Sequence, residues 1–277
     1  KKIPDNIIAV TGTNGKSSVA DFYYQILDLN KKKVASIGTL GIKSKKFKKD
    51  LSNTTIDPIQ LSIILSNLKK QNINNVIMEA SSHGLSQNRL DGLSFNTGIF
   101  TNLSQDHMDY HNNIKDYLKA KLYLFEKLIK KNGNIITDEK ISEYNQIKKI
   151  ASKKNLNLFS LLDEKNNFKF LSHQFEGESQ LLRIKYNNST YKIKLNLIGK
   201  VQLKNILMAT IAAIKSNISI KDILKVIPRI KSVNGRFEKI GKIKNNSKVI
   251  LDYAHTPDAL KTCLKNLKEQ FPGHKVS

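Results

Sequence analysis

The 277-residue chain contains one cysteine, no tryptophan, five prolines and only four arginines. Cys263 alone can form no internal disulfide and no thiolate cage for a metal, which fits a reducing compartment. No stretch approaches the run of about 20 apolar residues that a bilayer span needs. The N-terminus passes from Lys1-Lys2 straight into a short strand-like run. A soluble cytoplasmic protein without a membrane partner is therefore expected. There is no internal repeat and no low-complexity linker, and 39% of the residues are hydrophobic. A chain of this length buries roughly three quarters of its unfolded surface, enough for one large or two modest domains with real cores.

What is abundant is lysine. The formal net charge of +24 comes from 43 lysines against the four arginines Arg89, Arg183, Arg229 and Arg236, accompanied by 29 asparagines. Nucleic-acid readers combine arginine forks with interleaved aromatic platforms, and neither pattern is visible. The charge reads as a solvated lysine surface, and no nucleic-acid partner is expected. Where lysine is the default cation, an arginine inside a motif is a candidate for planar, bidentate recognition of an anion. Arg89 and Arg236 both sit in motifs.

Hydrophobic periodicity alternates in the α/β manner. A buried strand at 7–10 enters a glycine-rich turn, helical spacing follows through Val19, Phe22, Tyr23, Ile26 and Leu27, and a strand resumes at 34–37. Asp57-Pro58 is an N-cap with proline at the first helical position, opening a helix to about Lys70. Strands are predicted at 75–80 and 95–102 and an amphipathic helix at 114–131. Residues 168–197 turn to period two around Asn187-Asn188-Ser189, the pattern of antiparallel hairpins at an edge of the domain. Helices at 201–215 and 220–227 follow, then a break near 232–235, a strand at 249–253, a helix at 257–270 and the start of a strand at 274–277. The fold class is α/β: a mostly parallel P-loop-type sheet covered by helices on both faces, with an antiparallel edge, then an incomplete Rossmann-like unit. The boundaries are 1–233 and 234–277.

The turn at 11–17, Thr11-Gly12-Thr13-Asn14-Gly15-Lys16-Ser17, is a shortened P-loop between strand and helix. Glycines let backbone N–H groups turn onto phosphate oxygens, the helix N-terminus adds partial positive charge, Lys16 reaches β/γ oxygens and Ser17 offers Mg²⁺ a hydroxyl. Glu79 ends the apolar run Asn75-Val76-Ile77-Met78. Alone it reads as a solvated strand end; beside a P-loop it reads as a carboxylate that holds Mg²⁺ directly or through water. The run 101–111, from Thr101 to His111, follows the next strand, and Lys121 lies fourteen residues past His107. His83 and His111 read as structural histidines.

Taken together, these motifs resemble the Mur ligases, and within them the branch that adds the third peptide residue to UDP-N-acetylmuramoyl-dipeptide. The resemblance rests on the loop at 11–17, Asn53-Thr54-Thr55, Met78-Glu79-Ala80-Ser81-Ser82-His83-Gly84-Leu85 with Gln87 and Arg89, and Phe100-Thr101-Asn102-Leu103 leading to Asp106-His107-Met108-Asp109-Tyr110-His111. It continues through Ala120-Lys121, Asn205, Gly235-Arg236-Phe237-Glu238 and Asp252-Tyr253-Ala254-His255-Thr256-Pro257. It covers most of the chain and is weak between about 138 and 196.

The resemblance implies an ATP-dependent carboxylate–amine ligase working through an acyl phosphate. It implies ATP binding by Gly12, Thr13, Asn14, Gly15, Lys16, Ser17, Ser18, Asn205, Arg236, Asp252 and His255, with two Mg²⁺ held by Ser17, Glu79, His107 and a carbamylated Lys121. Lys16, Lys121 and His107 would carry the catalysis. Asn53, Thr54, Thr55, Ser81, Gln87 and Arg89 would hold the UDP-muramoyl-dipeptide, to which a diamino acid, lysine or meso-diaminopimelate, is joined. A monomer is expected. Ser17 stands where threonine is usual, Gln105 where arginine is common and Gln202 where asparagine is common, so Gln105 and Gln202 are left out of the expected site. The chain reads as a fragment lacking the uridine-gripping domain and most of the C-terminal domain, inactive in ligation alone, with the motif that selects the amino acid beyond Ser277. The competing readings are a ligase like folylpolyglutamate synthase or the ligase half of cyanophycin synthetase, and, on charge alone, a basic P-loop NTPase acting on nucleic acid.

Overall fold

The computed structural model describes residues 3–45, 47–162, 168–243 and 247–276. At its centre is β1 (Asn6–Thr11), whose side chains divide between two cores. Ile8 and Val10 face α1 (Lys16–Leu29) and α6 (Lys200–Lys215), while Ile7 and Ala9 face the opposite layer. This is the period-two geometry of a strand buried on both faces, and it explains why the run is continuously apolar.

β1 lies between β5 (Asn75–Glu79) and β6 (Phe95–Phe100), parallel to both. The sheet extends through β2 (Val34–Gly38) on one side and through β7 (Ile129–Thr137) and β8 (Asn157–Ser160) on the other, all parallel. β3 (Gly41–Ser44) and β4 (Lys48–Lys49) add antiparallel strands beyond β2, giving eight strands in the order β4-β3-β2-β5-β1-β6-β7-β8. The layer opposite α1 contains α2 (Pro58–Lys70) and α5 (Tyr144–Lys154), which contribute Leu61, Leu65, Ile147 and Ile150 to its core. Asp57 caps α2 as expected, accepting from the N–H groups of Ile59 and Gln60. The register aligns Val10 with Glu79 and Thr11 with Phe100, so the loops after β1, β5 and β6 leave one edge together. That crevice is where open α/β sheets place their ligands.

Two stretches differ from expectation, and a third takes the form expected of it. The helix predicted over 114–131 is α4 (Ile114–Tyr123) followed by a π turn, Leu124–Leu128, and residues 129–131 already belong to β7. Leu124, Leu128 and Ile129 continue the helical spacing, but pairing of Ile129 with Phe95 of β6 takes the backbone into the sheet. The period-two stretch forms the expected antiparallel hairpins, in a separate sheet of β9 (Phe168–Glu176), β10 (Ser179–Tyr186) and β11 (Ser189–Leu195). Its Leu182, Ile184, Ile193 and Leu195 pack into the core under α1 and α6. Residues 274–276 are not a strand, and Ser277 lies outside the described residues.

After α7 (Ile220–Val226) the chain forms a two-stranded sheet, β12 (Glu238–Lys242) with β13 (Lys248–Leu251), and α8 (Pro257–Gln270). α8 is docked on the large unit. α6 begins at Gly199 without a side-chain cap of its own, and α8 supplies the missing acceptors. Gln270 Oε1 accepts the Gly199 N–H at 2.7 Å and Asn266 Oδ1 accepts the Val201 N–H at 3.0 Å. Phe237, Cys263 and Phe271 close over Ile198 in a third small core.

Candidate active site

The loop after β1 is held open by its neighbours. Gly12 and Gly15 have φ of 138° and 90°, a region side chains rarely enter. A Cβ on Gly12 would fall on Thr101 Oγ1, and one on Gly15 would lie 2.6 Å from Asn205 Oδ1. Thr101 Oγ1 donates to the Asn14 carbonyl at 2.6 Å, and Asn102 both accepts the Asn14 N–H at 2.9 Å and donates to its carbonyl at 3.1 Å. Tyr117 on α4 braces Thr13, hydroxyl to hydroxyl at 3.2 Å. α1 starts immediately after the loop with no side-chain cap, so its first-turn N–H groups are presented to the crevice as an anion cradle.

Lys16 Nζ bends back onto the loop, donating to the carbonyls of Gly12 at 3.0 Å and Thr13 at 2.8 Å. Its burial, with Arg236 adding to it, lowers its pKa against the opposing charges of Glu79 and Asp106. Ser17 donates to Glu79 Oε2 at 3.1 Å, and both are buried. Glu79 takes its remaining bonds from Thr39, whose N–H reaches Oε1 at 2.9 Å and whose hydroxyl reaches Oε2 at 3.2 Å. This buried carboxylate is held by neutral donors alone. A carboxylate beside a hydroxyl and a phosphate cradle is a donor set that suits Mg²⁺, which binds proteins through one or two carboxylates plus substrate phosphates and water. Among the described residues no three His, Cys, Asp or Glu side chains converge as a ready-made metal cage. Such an ion would therefore take part of its coordination from the ligand.

Lys121 lies beneath the loop. It is 1% exposed, donates to the Gly12 carbonyl at 2.8 Å and sits 4.2 Å over the Tyr117 ring. Burial, and then the Lys16 charge, put its pKa well below the ordinary lysine value, with Asp106 opposing. His107 is in the left-handed region at φ 54° and stands 3.5 Å from Asp106; burial again lowers its pKa. His83, expected to be structural, is edge-on to His107 at 4.9 Å and against Tyr110 at 4.0 Å.

Thr55 ties the loop before α2 to the sheet, donating to the Glu79 carbonyl at 3.0 Å and accepting from the Ser81 N–H at 2.9 Å. The Ser81 hydroxyl caps the short α3 (Ser82–Ser86) by accepting from the Gly84 N–H. Arg89 Nη1 donates to the Thr55 carbonyl at 2.7 Å, so this guanidinium is anchored by one edge. From the other side, Asn205 is fixed by Gln202 at 3.0 Å, and Gln202 Nε2 donates to the Arg236 carbonyl at 3.2 Å. Asp252 accepts the Phe237 N–H at 2.9 Å, and its burial raises its pKa.

These groups surround a single cavity of about 760 Å³. Along it lie Thr13 to Ser18 in sequence, Asn53, Thr54, Thr55, Glu79, Ser81, Arg89, His107, Asn205, Arg236, Asp252 and His255. Gly12 and Lys121 are under its floor rather than on its wall, and Gln87 points elsewhere, toward the Tyr110 hydroxyl at 3.3 Å. Thr39, Asn102 and Gln202, none of them in the expected site, also line it, Gln202 having been left out because asparagine is common at its position. Asn102 stood in a motif already noted, whereas Thr39 carries no local signal and arrives because β2 neighbours β5.

Sheet order, glycine loop and the acid on the adjacent strand define a P-loop α/β protein. The chain belongs to the Mur ligase family: residues 10–213 match the Mur ligase middle domain and residues 235–277 match the Mur ligase, glutamate ligase domain. It is 35% identical over 270 residues to the UDP-N-acetylmuramoyl-L-alanyl-D-glutamate--2,6-diaminopimelate ligase of Zymomonas mobilis subsp. mobilis, covering 98% of this chain and 56% of that protein. A solved structure of a UDP-N-acetylmuramoyl-L-alanyl-D-glutamate--2,6-diaminopimelate ligase superposes with a TM-score of 0.82 at 27% identity, over 98% of this chain and 55% of that one. Folylpolyglutamate synthase of Mycobacterium tuberculosis complexed with ADP shares the fold, with a TM-score of 0.77 at 15% identity over 96% of this chain and 66% of that chain. The chain thus spans little more than half the length of its ligase relatives. Among the described residues no helix is long and apolar enough to cross a membrane.

Proposed function

We propose that this segment is the ATP-binding core, 1–233, and the opening of the C-terminal domain, 234–277, of a ligase that joins diaminopimelate to UDP-N-acetylmuramoyl-L-alanyl-D-glutamate in cytoplasmic peptidoglycan-precursor synthesis. The observation that supports it most is the convergence on one cavity of the P-loop, the Ser17–Glu79 pair and the Arg236–Asp252 end of the second unit. The choice of diaminopimelate follows the names of the relatives.

In this reading the γ-phosphoryl group passes to a substrate carboxylate oxygen with release of ADP. The amine then displaces phosphate, forming the amide and losing a proton. Lys16 leaves the loop carbonyls to meet the phosphates, while the first-turn N–H groups of α1 hold them in place. Ser17 and Glu79 would hold one Mg²⁺, with His107 and Lys121 beside a second. Bound magnesium supplies charge neutralisation as the phosphoryl group moves between anions. Lys121 suits carbamylation because the neutral amine favoured by burial adds CO₂ with loss of one proton, giving a carboxylate-like anion in place of an ammonium that would repel the metal. Asn205 reads the adenine side, and Asn53, Thr54, Thr55, Ser81 and Arg89 face the precursor, Arg89 with its unanchored guanidinium edge.

The test is product mass and phosphate release by the protein carrying this segment, given Mg-ATP, the UDP-linked dipeptide and diaminopimelate or lysine. Tripeptide product with diaminopimelate and equimolar phosphate is expected. Absence of product with both amines would overturn the reading.

A further inference from the structure

Arg236 is one of only four arginines in the chain, and its guanidinium lies over an aromatic ring. Its Cζ is 4.4 Å from the centroid of Tyr253, at the end of the segment leaving β13. The two are clamped through Gly235, whose carbonyl accepts both the Arg236 Nη1 donor at 3.0 Å and the Tyr253 N–H at 2.9 Å. Gly235 itself is in the left-handed region at φ 66°, and its N–H donates to Glu238 at 2.7 Å. One guanidinium nitrogen is thus committed to backbone and one face to the ring. No acceptor among the described residues takes the other N–H groups, which lie in the plane of the guanidinium, along the cavity that also holds Lys16. Tyr253 is 59% exposed, so it contributes little to any core. An exposed aromatic ring under a half-buried arginine fixes the plane of the guanidinium without occupying its donors.

We propose that Tyr253 is a positioning residue that sets the plane of Arg236 so that its free edge meets a phosphate of the bound nucleoside triphosphate. This rests on the nucleotide reading of the cavity. The ring face does the work, so the Tyr253 hydroxyl is dispensable and a planar ring is sufficient. A stacked guanidinium contributes about 1 kcal/mol or somewhat more, which corresponds to roughly a three- to tenfold change in affinity.

The experiment is calorimetric titration of a non-hydrolysable ATP analogue with Mg²⁺ into the wild-type protein, Tyr253→Leu, Tyr253→Phe, Arg236→Ala and the Arg236→Ala/Tyr253→Leu pair. A parallel titration uses the UDP-linked dipeptide. Tyr253→Leu should lose roughly three- to tenfold in analogue affinity, Tyr253→Phe should match wild type, and in the Arg236→Ala background Tyr253→Leu should cost nothing further. Binding of the UDP-linked dipeptide should be unchanged. Full affinity in Tyr253→Leu, an equal loss with and without Arg236, or a loss confined to the UDP-linked dipeptide each overturns the inference while leaving the nucleotide site standing. A wild-type protein that does not bind the analogue overturns the nucleotide reading and this inference together.

Discussion

Lys121 Nζ donates to the carbonyl oxygen of Gly12 at 2.8 Å, from below the same loop whose upper side carries Lys16. Lys16 donates to that oxygen too, at 3.0 Å. Two amines on one carbonyl, both taken out of water, are poorly accommodated as two ammonium ions. The deeper one, Lys121, gives up its charge more readily, as its burial and the neighbouring Lys16 charge dictate.

A pH dependence of stability follows. The unfolded chain keeps a proton on this lysine up to about pH 10.4, whereas the folded chain releases it at lower pH. Between those values the unfolded state binds more protons, so stability rises with pH, by up to about 1.4 kcal/mol per pH unit for one group. Lys16 acts with the same sign, and the difference between wild type and Lys121→Met isolates the Lys121 part. Urea unfolding at several alkaline pH values in CO₂-free buffer should show a shallower rise in the variant. Equal slopes would place a charged, well-solvated amine at this position. For activity, Lys121→Ala should be inactive and partly restored by short-chain carboxylates that refill the space with the negative charge of the proposed carbamate.

Lys16→Ala should weaken binding of a Mg-ATP analogue by about 10- to 100-fold, the loss of a charge-assisted contact to phosphate. Because Lys16 bonds only to loop carbonyls in this structure, the thermal midpoint should move little. Calorimetry beside a melting curve separates the two effects, and unchanged affinity would remove Lys16 from the phosphate site.

Gly38 at the end of β2 has no motif to mark it, yet a methyl group there would lie 2.6 Å from Glu79 Cγ. Gly38→Ala should therefore displace the carboxylate from Ser17 and Thr39, at a stability cost of about 1–3 kcal/mol for overpacking. Nucleotide affinity should become less responsive to Mg²⁺ than in wild type, as read by titrating the analogue with and without the metal. An unaltered Mg²⁺ response would show that Glu79 does not serve the metal.

Gln270→Ala tests how the second unit is held. It leaves the Gly199 N–H buried without its acceptor and frees the Gly177 carbonyl, which Gln270 Nε2 bonds at 3.2 Å. A loss of about 1–3 kcal/mol in chemical denaturation is expected, the usual cost of an unsatisfied buried donor. A loss near zero would mean that α8 is only loosely docked.

The glycine loop, the acid ending β5, the Asp57-Pro58 start of α2 and the full extent of α8 were all legible in sequence. Each depends on chemistry within a few consecutive residues: glycine at positive φ, an N-cap, or the change of apolar period from two to 3.6. The residues assigned to the site through family motifs mostly do line one cavity, but their partners could not be read. Thr39 reaches Glu79 only because β2 lies beside β5, and Asn102 reaches Asn14 only because β6 lies beside β1.

Where sequence reasoning failed, pairing or docking overrode a local pattern. Ile129 fits a helix by spacing and enters a strand because β6 offers it backbone partners. Asn266 and Gln270 satisfy the open end of α6 from a helix more than sixty residues away, which no local pattern announces. Composition, local motifs and periodicity were thus determined by the sequence itself: an α/β chain with a phosphate-type loop, a metal-suited acid and a conspicuous lysine. The burial of Lys121 under Gly12, the neutral hydrogen-bond donors on Glu79 and the stacking of Arg236 on Tyr253 were decided only by tertiary structure. Charge and hydrogen-bond capacity of a side chain are local properties, whereas solvent exclusion and partner choice depend on which distant segments the sheet order brings together.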